Sequence, residues 1–426
     1  MRQVSEFSKS NAFVFTLILA LAIWWTSSTT VQVNDANMAA LKNVVVVGGS
    51  YVGISAAKEL ASLLPATHRV LLIEPHSHFH HLFAFPRFAI LPSHEHKAFI
   101  PYTHLFTDAR HQVIRAKVLS LTTTDVTLDR AWDRSTVVPF DYLVAATGTR
   151  LTPPGTMPSD DKPGAVRYLQ TYQAGLARAE SIVVIGGGAV GVQMACDLKE
   201  VYPGKRVTLV HSHSQLMPFY HESLSGLIKA RLGELGVETV LGSRAVVPEG
   251  GFPTDGERFE VLLQDGREVP ADFAVVATGQ TPNNQFLAGL GNGGGVVNPR
   301  NGFIRVRPTL QFNDERFSNL FAVGDIADTG AHKAARPGSV QAAVAAKNIV
   351  AMVAGGQPVE TITVAPAGIH LTLGLTRNVI FRNPDAAAGA TEPFVNPKDD
   401  GQADMGIEGV WARRGVTVTT QSDYHL

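Results

Sequence analysis

Two Gly-rich turns carry the residues with the plainest chemistry in this chain. The first is Val44-Val-Val-Val-Gly-Gly-Ser-Tyr-Val-Gly53. Its β-branched run predicts a buried strand, a tight turn follows, and residues 54–63 predict a helix. In the dinucleotide-binding fingerprint one glycine makes the turn, a second lets backbone approach a pyrophosphate, and a third lets helix pack on strand. Gly48 and Gly53 hold the first and third places, and Ser50 stands where the second glycine is usual; Gly49, Tyr51 and Val52 complete the loop. Free N–H groups and the helix dipole would hold an anion there. Glu74 closes Val70-Leu-Leu-Ile-Glu74, where a carboxylate can hold a ribose hydroxyl. The second turn, Ile182-Val-Val-Ile-Gly-Gly-Gly-Ala-Val-Gly191, has all three fingerprint glycines, Gly186, Gly188 and Gly191.

The elements around these turns repeat. One copy closes with Val137-Val-Pro-Phe-Asp-Tyr-Leu-Val-Ala-Ala-Thr-Gly148, the other with Glu268-Val-Pro-Ala-Asp-Phe-Ala-Val-Val-Ala-Thr-Gly279. Segments 112–128 and 259–264 predict the short strands of an antiparallel meander in each copy. The chain therefore reads as α/β, with two Rossmann-like units, the second inserted in the first, and a small α+β unit at the C-terminus. The expected division is 41–155 with 280–354 for the first unit, 156–279 for the second and 355–426 for the third, after an N-terminal segment, 1–40. In the returning part, Asn319-Leu-Phe-Ala-Val-Gly-Asp325 ends a strand on a carboxylate, and a helix is expected over 338–353. In the tail, 360–364 is strand-like and 396–404 reads as a polar loop.

The chain has 426 residues, 45% of them hydrophobic, enough for two or three packed units. Its net charge of −1 gives no basic surplus to attract nucleic acid. A single cysteine, Cys196, excludes an internal disulfide and any Cys-x-x-Cys pair. No Cys/His pattern offers a metal site. Residues 12–25 form an uncharged apolar run that includes Trp24 and Trp25. It is shorter than the span of about 20 residues that crosses a bilayer. An anchor, a cleaved signal and a start at Met38 all remain open readings.

Together the two fingerprints, the two Ala-Thr-Gly turns and Leu-Phe-Ala-Val-Gly-Asp325 resemble the flavoprotein superfamily with two dinucleotide-binding domains. Ser77-His-Phe-His-His-Leu-Phe-Ala-Phe-Pro-Arg87, Ala98-Phe-Ile-Pro-Tyr102 and Leu371-Thr-Leu-Gly-Leu-Thr-Arg-Asn378 resemble its apoptosis-inducing-factor-like, mitochondrion-associated branch, which includes the ferroptosis suppressors. The resemblance implies FAD in the first unit and NAD(P)H in the second. It implies that Gly48 to Val52 wrap the FAD pyrophosphate, that Glu74 holds the adenosine ribose and that Arg87 contacts FAD. It further implies that the Lys117 region offers backbone to the adenine, that Asp325 bonds the ribitol and that Lys333 lies near the flavin. Disulfide reductases of the superfamily carry a cysteine pair after the first fingerprint; this chain has none there.

The second unit has His211-Ser-His-Ser214 where an acid would read the NADH ribose, which permits NADPH. The expected reaction is hydride transfer from NAD(P)H to FAD, with electrons passed to a quinone-type acceptor. Two alternatives stay open: oxidation of a secondary metabolite with oxygen as acceptor, and a nucleotide-gated cell-death signalling role. The apolar run together with an intracellular reductant implies membrane association, with the flavin unit facing the cytoplasm.

Overall fold

The computed structural model describes residues 41–290 and 295–426; the apolar run at 12–25 lies outside them. Strand β1 (Lys42–Val47) enters the core with five consecutive buried residues, as a central parallel strand must when both faces are covered. It turns into helix α1 (Tyr51–Leu63) and then β2 (His68–Glu74). β3 (Gln112–Arg115) follows, and β4 (Val118–Leu121), β5 (Asp125–Trp132) and β6 (Ser135–Pro139) form an antiparallel meander. β7 (Tyr142–Ala145) returns beside β1, and β8 (Thr149–Leu151) leads out of the unit.

The inserted unit opens with α2 (Lys162–Arg178) and β9 (Ser181–Ile185), then α3 (Ala189–Val201), β10 (Arg206–His211), α4 (Glu222–Glu234) and β11 (Glu238–Leu241). A hairpin of β12 (Phe259–Leu262) and β13 (Glu268–Ala271) precedes β14 (Phe273–Val276), and β15 (Gln280–Pro282) leads back. β16 (Leu320–Ala322) and α5 (Ala335–Val353) complete the first unit. The C-terminal unit holds β17 (Gly368–Thr372), β18 (Arg377–Arg382), β19 (Phe394–Asp399) and α6 (Ile407–Arg413).

The first sheet is wholly parallel, in the order β16-β7-β1-β2-β3, and the second is wholly parallel, β11-β10-β9-β14. The two Ala-Thr-Gly turns launch β8 and β15, which pair antiparallel with each other and carry the chain between the units. Asn283 fastens this ribbon, donating to the Thr147 carbonyl at 2.8 Å and accepting at its own carbonyl from the Thr147 hydroxyl at 2.7 Å. The fold is α/β with two Rossmann-like domains.

Three expectations are corrected. Residues 112–115 pair parallel with β2, so they belong to the main sheet and the meander starts at Val118. The second unit has a two-stranded hairpin extended only by a single bridge between Ala245 and Leu263. In the tail, 360–364 forms no strand, because the fully buried Asn348 of α5 takes both backbone groups of Glu360, at 2.8 and 2.9 Å. The third strand of the C-terminal sheet lies instead within 394–399, a stretch read partly as loop.

Candidate functional site: two diphosphate cradles

Gly48 and Gly186 take φ of 104° and 119°, values that favour glycine, and each turn presses on the strand beside it. A Cβ on Gly53 would sit 1.7 Å from the Gly48 carbonyl oxygen, and one on Gly191 1.8 Å from that of Gly186. At the second fingerprint position the space is open: a Cβ on Gly188 meets nothing within 4 Å. That openness explains why serine stands at position 50 in the matching place. Neither Ser50 nor Gly188 caps its helix with a side chain, and neither helix has an acid in its first turn. By contrast Asp161 caps α2 and His221 caps α4. The two fingerprint helices thus leave their N–H groups available to an external anion.

The side chain ending the second strand of each unit closes its turn. Glu74 is buried and accepts from the Gly49 N–H; it also bonds the His76 ring and accepts from the His76 N–H at 3.0 Å. Burial pushes its carboxyl up, but the bonds and charge of His76, with the Gly49 N–H, prevail and hold it below its usual value. Burial pushes His76 down, and its bond and charge contact with Glu74 outweigh this and raise it. Tyr102 donates to the Gly49 carbonyl at 2.8 Å from the other side. In the second unit Gly187 donates its N–H to His211 Nδ1 at 3.0 Å. That bond assigns the proton of neutral His211 to Nε2, which is buried without a partner among the described residues.

A third uncapped helix N-terminus, that of α5, meets the first cradle. Val52 of α1 is the common contact: a Cβ on Gly324 would lie 3.1 Å from it, and one on Gly338 2.4 Å. Asp325 follows Gly324, and burial raises its carboxyl against the pull of Lys333. The Lys333 ammonium bonds the Ala327 carbonyl and lies 4.1 Å from the centre of the Phe303 ring. Burial lowers its pKa, opposed by Asp325 and Asp328. Gln341 of α5 accepts from the Gly324 N–H at 2.7 Å and fixes the Gly-Asp turn. Gly148 and Gly279 adopt φ of 59° and 74° at the mouths of the two cradles, with open space where a Cβ would lie.

Two other expected contacts differ. Arg87 is fully buried in a role other than the expected FAD contact. Its guanidinium pairs with Asp197 of α3 at 2.6 Å and donates to the Gly374 carbonyl at 2.8 Å. It thereby pins the first unit to the second and third. Burial pushes Asp197 up, to about 6, against the pull of Arg87. Removing one partner of such a buried pair costs about 3–5 kcal/mol. The backbone of Lys117 is turned to Asp129, donating to its carboxylate at 2.8 Å and accepting from its N–H at 3.0 Å. This leaves only the second lone pair of the Lys117 carbonyl for an adenine. Sequence reasoning missed Tyr102 and Gln341, because each bonds a turn that lies far from it along the chain, and His76, because it acts on Glu74 and not on the turn itself.

Two such cradles in one chain, the first of them met by the uncapped α5, are the arrangement of a protein that holds two nucleotides. Residues 42–346 match the model of the pyridine nucleotide-disulphide oxidoreductase family, and the chain belongs to that family. It is similar to Fe-regulated protein 8 of Mycosarcoma maydis, 36% identical over 401 residues, covering 88% of this chain and 96% of that one. It is also similar to ferroptosis suppressor protein 1 of Mus musculus, 30% identical over 72% of this chain and 80% of the relative. Among solved structures, the sulfide:quinone oxidoreductase of Aquifex aeolicus shares the fold with a TM-score of 0.69 at 20% identity, over 87% of this chain and 90% of that one. FAD and NAD(P)H are the cofactors of this family, and the geometry fits them. Uncapped helix N-termini stand where diphosphates would lie, and Asp325 stands beside the α5 entrance.

Proposed function

We propose that the chain takes reducing equivalents from NAD(P)H through FAD and delivers them to a quinone-type acceptor without a thiol relay. The observation that carries this reading is a lone, inert cysteine set against an aromatic, cationic entrance to α5. Cys196 is fully buried, and burial pushes its thiol far above the usual range, so it offers no thiolate. At the entrance, His332 Nε2 lies 2.8 Å from the Tyr220 hydroxyl, and Phe219, 65% exposed, stacks on the His332 ring at 5.7 Å. A flat ring can lie on this shelf, with the neighbouring Lys333 ammonium available to a carbonyl oxygen.

Bound FAD would supply the hydride acceptance and the one- or two-electron delivery. The chain supplies the rest. Gly48 to Val52 and Glu74 would hold the adenosine diphosphate half, and Asp325 would hold the ribitol. The α5 N-terminus and Lys333 would favour negative charge on the reduced ring. Gly186, Gly188 and Gly191 would hold NAD(P)H so that its nicotinamide faces that ring. Among the described residues no helix is long and apolar enough to cross a membrane. We place any membrane anchoring in the apolar stretch 12–25.

Anaerobic reduction by NADH or NADPH, followed by addition of quinones or oxygen, tests this. Quinone should reoxidise the protein, and Cys196→Ala should do so at a rate within about twofold of the native chain. Failure of every quinone, or loss of reoxidation in the Cys196 variant while its flavin is retained, sinks the reading.

A further inference from the structure

The C-terminal unit sends one cation toward the first cradle. Arg414 caps α6, its N–H bonded to the carbonyls of Trp411 at 2.9 Å and Val410 at 3.2 Å. Trp411 is fully buried and donates its indole N–H to the Lys97 carbonyl at 2.8 Å. Gly415 follows at φ 81°, a conformation that ends the helix. The Arg414 backbone is therefore held in a fixed place. Its guanidinium carbon lies 4.0 Å from the centre of the buried Phe79 ring and 5.9 Å from that of Tyr51. Tyr51 is the first residue of α1, inside the phosphate turn, and Tyr102 bonds the same turn at Gly49.

Among the described residues, no carboxylate pairs with Arg414; its charged neighbours, Arg413 and Lys58, are of the same sign. His81, 2.8 Å from the Tyr51 hydroxyl, supplies no negative charge. Burial first, then Arg414 and Arg413, hold its pKa down at about 4. Arg87, fully buried against this unit, has Asp197 to balance it. A guanidinium stacked on an aromatic face keeps its charge, and a partly desolvated charge without a counter-ion is unfavourable. The adjacent feature built for an anion is the uncapped N-terminus of α1.

We propose that Arg414 is a clamp on the FAD diphosphate, by which the C-terminal unit locks the cofactor into the first domain. This rests on the first cradle's holding FAD. The test compares Arg414→Gln, Arg414→Lys and Arg413→Gln in the full chain. FAD affinity is read by fluorescence titration of flavin-stripped protein, and melting temperature is read with and without FAD. Arg414→Gln should weaken FAD roughly ten- to a hundredfold. The lysine variant should recover part of the loss, since it keeps the charge without the planar fork. Arg413→Gln should stay within about twofold, as expected for an exposed charge. The flavin-free Arg414→Gln chain loses only the stack on Phe79, so its melting temperature should fall less than that of the loaded form. Native-like FAD affinity in Arg414→Gln, or an equal fall in both melting temperatures, overturns the clamp. A native chain that binds no FAD would instead overturn the cradle assignment itself, and so the two failures are distinct.

Discussion

In both nucleotide units the second residue of the turn donates its backbone N–H to the side chain that ends the next strand: Gly49 to Glu74, Gly187 to His211. The geometry is shared, and so are the packing glycines, the uncapped helix and the Ala-Thr-Gly exit. The closing chemistry differs. Glu74 is an anion held down by His76. His211 is shifted down by burial and by the neighbouring His213, which favours the neutral ring. The first cradle is also braced by Tyr102 and overlooked by Arg414, while the second is closed by its own domain. A cofactor that stays through many turnovers and one that leaves at each are expected to need just such a difference in enclosure.

The sharpest break of this comparison is to fill one close approach at a time. In Gly53→Ala the new methyl would lie 1.7 Å from a backbone oxygen that cannot move without opening the turn. In Gly191→Ala the corresponding distance is 1.8 Å. Gly53→Ala should purify colourless or fail to fold. Gly191→Ala should stay yellow and accept electrons from dithionite, yet show a loss of NAD(P)H-driven bleaching on the order of a thousandfold or more, comparable to several kcal/mol of strain. Absorbance spectra and stopped-flow reduction read both outcomes. A Gly191→Ala chain that is bleached by NAD(P)H at the native rate would show that the second cradle does not hold the reductant.

A smaller effect sharpens the contrast between Glu74 and His211. Replacing His211 by Glu gives the second cradle the first one's closure, since a carboxylate can also accept from Gly187. It would face the 2′-phosphate of NADPH with like charge and the 2′-hydroxyl of NADH with an acceptor. The NADPH-to-NADH ratio of kcat/KM should fall on the order of a hundredfold, about 2.8 kcal/mol, for charges a few ångströms apart at a protein surface. Flavin content should not change. An unaltered ratio would place the 2′-position away from His211.

Much of this was legible along the chain because fingerprints are local. A strand, a turn and a helix within ten residues declare themselves by residue type, and so do a carboxylate at Glu74 and a Gly-Asp strand end at Asp325. What stayed hidden depends on residues far apart in the chain. Arg87 reads as a cofactor contact until the fold brings Asp197 to it from 110 positions away. Residues 360–364 have strand composition, yet Asn348 takes both backbone groups of Glu360 and the Pro308 carbonyl takes the Ile362 N–H. Arg414 has no signal of its own; its meaning comes from Phe79 and Tyr51 beneath it and from the absence, among the described residues, of a carboxylate beside it.

The smallest effect turns on the two histidines, one per cradle, whose pKa values move in opposite directions. His76 gains Glu74, so its folded value rises above 6.5. Its contribution to stability is complete below 6.5 and is lost as pH rises through the raised value. Glu74 lies below its usual 4.5, so its contribution is present above 4.5 and is lost as pH falls through the lowered value. The pair therefore contributes fully between those two reference values. His211 is shifted down by burial and by His213. The unfolded chain protonates it first, so stability is lost as pH falls from 6.5 through its folded value. Urea unfolding at about pH 5.5 and about pH 7.5 should thus give slopes of opposite sign for His76→Asn and His211→Asn, each relative to the native chain. The His76 variant should lose more at the lower pH, and the variant of the partly buried His211 should lose less there. Slopes of the same sign would mean that the two rings share one environment and that the two cradles do not differ in charge.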